Sequence, residues 1–313
     1  MDFLNEIVSR FPVRKSEKQK QAFRDWAVEQ AEAMGYAVRV ETYYGSKTTR
    51  NVVIGDPDKA QVLFTAHYDT PARSFLPNMM FLRPGMMLLY SLLVIGAFLG
   101  ISFGLGAGVG LLLGEKDFGK TSRLIAMLIY WVLLVGMLLG PANKNNVNDN
   151  TSGVTAVFAL MERLPAELRS RAAFVLFDNE EKGLVGSKVF AKQHKAVKEN
   201  TPVINLDCVG DGENIIMAVN KKARALPVIA ELEKIMQETD GRAFVMSRKF
   251  NMLGSDHRHF NLGVMTCACK HHRLMGYYAD KIHTSKDTVC DEANITYLAE
   301  GLSRFVAALP EEA

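Results

Sequence analysis

Apolar and polar residues alternate along most of this chain with periods that predict a mixture of helices and strands. A polar amphipathic helix is predicted over residues 16–34, ending near Gly35, and strand-like runs follow at Ala37–Tyr43, Asn51–Ile54 and Gln61–Ala66. Further on, helix Gly153–Arg163 precedes strand Ala172–Phe177, and helix Leu184–His194 precedes strand Pro202–Leu206. Strand Asn214–Val219, helix Pro227–Glu238, strands Ala243–Met246 and Gly263–Cys269 and a last helix Ile295–Leu309 complete the series. Helices alternating with short apolar strands predict an α/β fold with a central mixed, largely parallel sheet flanked by helices.

Two stretches break this pattern. From Gly85 to Gly114 there is no charged residue, and after the polar loop Glu115–Arg123 a second uncharged run extends from Leu124 to Ala142. Helices buried in soluble proteins rarely carry such runs, whereas about 20 apolar residues cross a bilayer. A helix pair buried inside a soluble protein is the alternative, but one domain of this size would struggle to cover both helices on all sides. The reading is therefore a body formed by residues 1–76 and 144–313, interrupted at 77–143 by a two-helix membrane insertion that contacts lipid over residues 85–142. Gly96, Gly100, Gly104 and Gly108 recur every four residues, as do Gly136 and Gly140. This spacing predicts the faces on which the two helices approach each other. The segment GLGAGVG has the glycines of a dinucleotide-binding loop, but no strand precedes it, so that reading is rejected.

Composition narrows the classes further. Lys+Arg 37 against Asp+Glu 34 leaves a net charge of +3, too little for a nucleic-acid partner. Four cysteines (Cys208, Cys267, Cys269, Cys290) are not a disulfide scaffold and fit a reducing compartment. The first 20 residues hold no apolar run of signal-peptide length, so no cleaved signal is expected. Lys116, Lys120 and Arg123 in the loop are balanced by Arg73, Arg83 and Lys144 on the flanks, and the positive-inside rule does not choose an orientation. The cysteines favour a membrane protein whose larger part is cytoplasmic.

Residues able to do chemistry cluster where the predicted strands end, which is where open α/β sheets place their sites. They are His67-x-Asp69, the segment Asn148-Asp149-Asn150 with Ser152-Gly153, Glu180-Glu181 with Gly183, Gly186 and Ser187, Asn205-Leu206-Asp207, and His283-Thr284 with Asp287-Thr288. Singly each has an ordinary explanation: Asp149 as a helix N-cap, Glu180-Glu181 as a solvated pair, His283 as a surface histidine. Cys267-x-Cys269 with His271-His272 has the composition of a metal cluster, but its spacing in an apolar strand reads as core packing.

The ordered series closely resembles the co-catalytic di-zinc aminopeptidase family, which also includes glutamate carboxypeptidases. The resemblance spans roughly residues 15–76 and 144–310 and includes Gly254-Ser255-Asp256-His257. It implies two Zn²⁺ (Co²⁺ or Mn²⁺ in their place), one held by His67 and Asp207, the other by Glu181 and His283, with Asp149 bridging. It also implies Glu180 as general base on a bridging water, Asp69 orienting His67, and Asp287 in a supporting place near His283. Peptide is the implied substrate. Where relatives carry an aromatic residue before the last histidine this chain has Ile282, so either Tyr277 or Tyr278 is the expected substitute or the metals suffice, and His257 is expected to be structural or substrate-facing. The apolar insertion is expected to emerge beside the cleft. Two alternatives stay open: a non-catalytic, receptor-like protein, and a single-zinc acyltransferase resembling glutaminyl cyclase.

Overall fold

The computed structural model describes residues 2–45, 47–248 and 254–310. Helix α1 (Phe3–Arg10) and helix α2 (Glu17–Ala33) come first. Helix α2 starts at a capping box, in which Ser16 Oγ accepts the Gln19 backbone N–H and Gln19 Oε1 accepts that of Ser16. Strands β1 (Val38–Tyr43), β2 (Thr49–Ile54) and β3 (Val62–His67) enter the sheet, and the two-residue strand β4 (Met80–Phe81) leads to helix α3 (Pro84–Leu112) and helix α4 (Lys120–Leu139). The chain then runs through α5 (Gly153–Arg163), β5 (Ala172–Phe177), α6 (Val185–Gln193), α7 (Lys195–Asn200), β6 (Val203–Leu206), β7 (Asn214–Val219), α8 (Pro227–Glu238), β8 (Ala243–Ser247), β9 (Gly263–His272), β10 (Gly276–Ala279) and α9 (Glu292–Ala308).

The strand order β1-β2-β5-β3-β6-β9-β10-β4 makes one mixed sheet, as the sequence pattern predicts, with β7 and β8 joined through β9. Strands β5, β3, β6 and β9 are parallel at its centre, and β1, β2, β7 and β10 pair antiparallel with their neighbours on that path. The central strands are buried on both faces. Ala172, Phe174 and Leu176 of β5 pack with Trp26, Phe158 and Leu302, while Ala173, Val175 and Phe177 pack on the other side with Phe190 and Phe260. Such two-sided burial explains why these strands read as continuous apolar runs. Boundaries move by a few residues, β9 extends to His272, and α1, α7, β4 and β10 are elements the pattern did not predict. They are short, and their apolar residues are too few to set a period.

Helices α3 and α4 form a hairpin. Among the described residues one helix, α3, is long and apolar enough to cross a membrane, and only 11% of its most apolar 18-residue stretch is buried. The glycine expectation is corrected here: space beside Gly96, Gly100, Gly104 and Gly108 is open, and the interhelical face carries Gly106 and Gly110 instead. A Cβ at Gly106 would lie 2.6 Å from Ser122 O and 2.8 Å from Ala126 Cβ. Two residues of offset rotate a helix by about 200°, so the outer glycines lie nearly opposite the contact. Glu115 closes the turn by accepting the backbone N–H groups of Thr121 and Ser122 at the start of α4.

Candidate metal centre

The parallel order of β5, β3 and β6 brings their C-terminal ends to one edge, so His67, Asp178-Asn179 and Asp207 arrive together. Asp149 comes from the turn before α5, Glu180 and Glu181 from the short turn after β5, and His283 from the loop after β10. Asn179, Leu184, Cys208, Lys281 and His283 are the non-glycine residues with positive φ among the described residues, and all lie in these loops. Unfavourable backbone concentrated at one edge is the signature of a site whose side chains are aimed by their surroundings.

His67 Nε2 stands 3.2 Å from Asp149 Oδ1 and 3.7 Å from Asp207 Oδ1, while His283 Nε2 stands 2.9 Å from Asp149 Oδ2 and 3.3 Å from Glu181 Oε1. Thus the two oxygens of one carboxylate face two different imidazoles. The donor atoms of His67, Asp149 and Asp207 lie within 4.8 Å of one another, as do those of Asp149, Glu181 and His283. Donors at zinc–ligand distances on a tetrahedral ion stand about 3.3–3.6 Å apart, so these spacings suit such an ion. Glu181 Oε1 is buried without a hydrogen-bond partner, although His283 Nε2 is so close. Nitrogen and oxygen lone pairs pointing at common centres are what cation binding requires. The donors of His67, Glu180 and Glu181 satisfy the same distance test, so proximity alone does not separate Glu180 from Glu181.

Charge leads to the same place. Burial disfavours a proton on His67, but the acids around it, Glu180 foremost, hold its pKa well above the ordinary histidine value. Burial pushes Glu180 up, with Glu181, Asp256 and Asp207 adding to the rise and His67 opposing it. Asp256, both of whose buried oxygens lack hydrogen-bond partners, is pushed up to about 7, chiefly by burial. Six buried or half-buried acids (Asp69, Asp149, Glu180, Glu181, Asp207, Asp256) around two imidazoles are a negative surplus that calls for cations.

The supporting residues act through particular atoms. His67 Nδ1 meets the backbone oxygen of Asp69 at 3.2 Å, which leaves Nε2 as the free donor atom. The Asp69 carboxylate, 3.6 Å from that ring, accepts the backbone N–H groups of Glu180 and Glu181 at 2.9 and 3.3 Å. Asp287 accepts the N–H groups of Asn148 and Asp149 at 2.7 and 3.1 Å, so it holds the backbone of Asp149. A Cβ at Gly186 would lie 2.3 Å from Asp178 O, which explains a glycine after the Glu-Glu turn.

His257 takes the structural one of its two expected places, and the two tyrosines lie elsewhere. His257 is buried, with its pKa lowered to about 3 by burial, and does not line the cleft. Tyr277 packs against His271 and Tyr278 against Phe81, and neither lines the cleft, whereas Ile282 does. Cys267 and Cys269 are core residues with Sγ atoms 3.8 Å apart.

Sequence reasoning missed the cations beneath the site. Arg14 is fully buried and donates to Tyr68 O, Asn146 Oδ1 and Thr151 Oγ1, tying the His67 loop to the Asp149 turn. Lys20 Nζ lies 2.5 Å from Asp178 Oδ1 and 2.8 Å from Asn179 Oδ1, both out of solvent. Ser255 Oγ donates to Asp207 Oδ2 at 2.5 Å. Lys20 lies in the helix predicted as polar and amphipathic and Arg14 just before it, so no local signal marked them.

The fold and the donor set define a zinc-exopeptidase-like α/β protein. The sequence profile of peptidase family M28 matches residues 135–304, more than half of the chain, and the chain belongs to that family. The His67 motif lies outside the matched span and reaches the site through β3. Among solved structures, the chain is similar to a Zn-dependent exopeptidase from Parabacteroides distasonis (15% identity, TM-score 0.59, covering 98% of this chain and 96% of that one). It is similar to a leucine aminopeptidase precursor from Bacteroides thetaiotaomicron (14% identity, TM-score 0.60, covering 98% and 95%). Porphyromonas gingivalis glutaminyl cyclase is also similar (16% identity, TM-score 0.61, covering 97% and 95%). No curated protein matches the sequence.

Proposed function

We propose that this chain is a membrane-anchored aminopeptidase that uses two zinc ions. The observation that carries the reading is Asp149, whose two oxygens stand 3.2 and 2.9 Å from different imidazole nitrogens. His67 and Asp207 would hold one ion and Glu181 and His283 the other, with Asp149 shared. When bound, zinc polarises the scissile carbonyl and lowers the pKa of water. Glu180, in the cleft and with raised proton affinity, takes a proton and returns it to the leaving amine. Asp69 keeps that base in place through the Glu180 backbone N–H.

The anchor in this reading is the insertion within residues 77–143, between the two parts of the body at 1–76 and 144–313. Helix α3, at about 43 Å, exceeds the hydrocarbon thickness and would tilt. The entry and exit of a two-helix hairpin lie on one side, so the body stays whole. Four cysteines without disulfides support a cytoplasmic body.

The test is a peptide-library digest with zinc-loaded protein, read by mass spectrometry beside metal analysis. Release of single N-terminal residues from free but not N-blocked peptides is expected, with two zincs per chain. Glu180→Gln should retain the metal and lose about 10²–10⁴ in kcat. The similarity to glutaminyl cyclases keeps a second reading in view: one zinc per chain with cyclisation of N-terminal glutamine would replace the first.

A further inference from the structure

The cleft at the metal centre has a volume of about 230 Å³ and two unlike walls. One is the donor set itself. The other is made by Met79, Met80, Met87, Met265 and Ile282. That second wall offers no charge to a lysine, arginine, aspartate or glutamate side chain, which would lose hydration there without a partner. Methionine is unbranched and polarisable, so such a wall adapts to apolar side chains of different shape.

Most of this wall is supplied by the root of the hairpin. Met79 and Met80 lead into and begin β4, which is stitched to β10 through Tyr278↔Phe81 and Ala279↔Met80. Arg83 donates to Leu274 O, fixing the start of α3 against the β9–β10 turn. Met87 lies in the first turn of α3, and the exposed residues Leu88, Leu89, Leu92 and Leu93 follow directly. The chain itself thus joins the apolar wall of the cleft to the apolar helix, with Met87 lining the cleft and Leu88 and Leu89 exposed directly after it. Met87, at the start of α3, lines the same cleft as Asp149 and His283, so the root of the apolar helix borders the donor set.

We propose that the cleft takes peptides whose apolar N-terminal residue is lodged at the bilayer surface, with Met79, Met80 and Met87 receiving that side chain. The proposal rests on the aminopeptidase reading and adds the substrate class to it. Pentapeptides differing only in their first residue (Leu, Met, Phe, Lys or Glu) are offered to the full chain in phospholipid nanodiscs. Hydrolysis is measured with the zinc-loaded protein, and binding by fluorescence anisotropy with Glu180→Gln. Apolar first residues should be bound and cut at least about tenfold better than charged ones. Met87→Lys, and independently Met79→Thr, should shrink that ratio below about threefold. A lipid-anchored Leu peptide should be cut about tenfold faster than the same peptide in water. Cleavage of all five peptides alike, or an unchanged ratio in both variants, overturns the pocket assignment while leaving the aminopeptidase reading intact. Equal rates for anchored and free peptide overturn the bilayer part. No cleavage or binding of any peptide removes both readings together.

Discussion

Helix α9 runs for 17 residues and buries nine of them, whereas α3 runs for 29 and buries only Phe98, Ser102, Gly106 and Gly110. Both carry a long apolar face, yet that of α9 is packed against α5 and α8 in the core while α3 presents Leu92, Leu93, Ile95, Leu105 and Leu111 outward. Water does not tolerate a continuous apolar surface of that extent on a soluble monomer. In the body, apolar residues are stabilised by one another; in the hairpin only a thin seam is, and the rest is left uncovered, which fits the bilayer anchor proposed above. The comparison teaches that hydrophobicity alone does not define a core. What decides is whether other elements are placed to cover it.

The largest effects should separate the two regions by stability. Phe174 of β5 is fully buried and stacked on Phe64 of β3, and Phe174→Ala should cost about 3–5 kcal/mol. Leu92→Ala on the outer face of α3 should change unfolding of the body by less than about 0.5 kcal/mol. Denaturant titration in detergent reads both, because Trp26 sits in the body's core and Trp131 on the hairpin can be replaced by Phe. A loss at Leu92 comparable to that at Phe174 would mean that hairpin and body unfold as one unit, and the contrast would fail.

Within the hairpin the same contrast recurs between its two glycine stripes. Gly106→Leu puts atoms where Ser122 O and Ala126 Cβ already are, and should destabilise the pair by roughly 1–3 kcal/mol. Gly104→Leu faces open space and should leave the pair intact. Disulfide trapping between cysteines placed at Ser102 and Ala126 reports the helix separation; equal trapping in both variants would show that the seam lies elsewhere.

These stripes also mark where sequence reasoning ends. A four-residue period identifies a face but not which of two faces offset by two residues meets the partner, since the answer depends on where Ser122 and Ala126 arrive. That His67, Asp149, Glu180, Glu181, Asp207 and His283 come together was legible because they stand in a recognisable order, most of them at strand ends. Arg14 and Lys20 were not, because a cation buried by tertiary contact has the same local sequence as one in solvent. The two-residue β4 was equally silent, and with it the turn that carries Met79 and Met80 to the cleft.

The smallest expected effect lies far from the hairpin and should ignore it. His194 stacks on Phe190, with Nδ1 2.9 Å from Asp58 Oδ2 and Nε2 3.1 Å from Glu41 Oε2. The hydrogen bond to Glu41 raises the His194 pKa against the opposing effect of burial, and Asp58 adds to it. Burial raises Glu41, but His194, Tyr43 and Arg39 outweigh it and hold the carboxyl at about 2. A raised histidine stabilises the fold fully below its unfolded pKa of about 6.5 and loses that contribution as pH rises through the folded value. A lowered glutamate stabilises above about 4.3 and loses its contribution as pH falls toward the folded value. The pair therefore contributes most between about pH 4.3 and 6.5, and because Asp58 and Arg39 are partly exposed the amount should stay below about 1 kcal/mol. His194→Gln should lower Tm at pH 5.5 and converge on the parent at pH 9, to the same extent whether or not residues 85–139 have been replaced by a short Gly-Ser linker. A Tm difference that persists undiminished at pH 9 would assign the loss to packing on Phe190, and one that vanishes with the hairpin would show that the two regions are coupled after all.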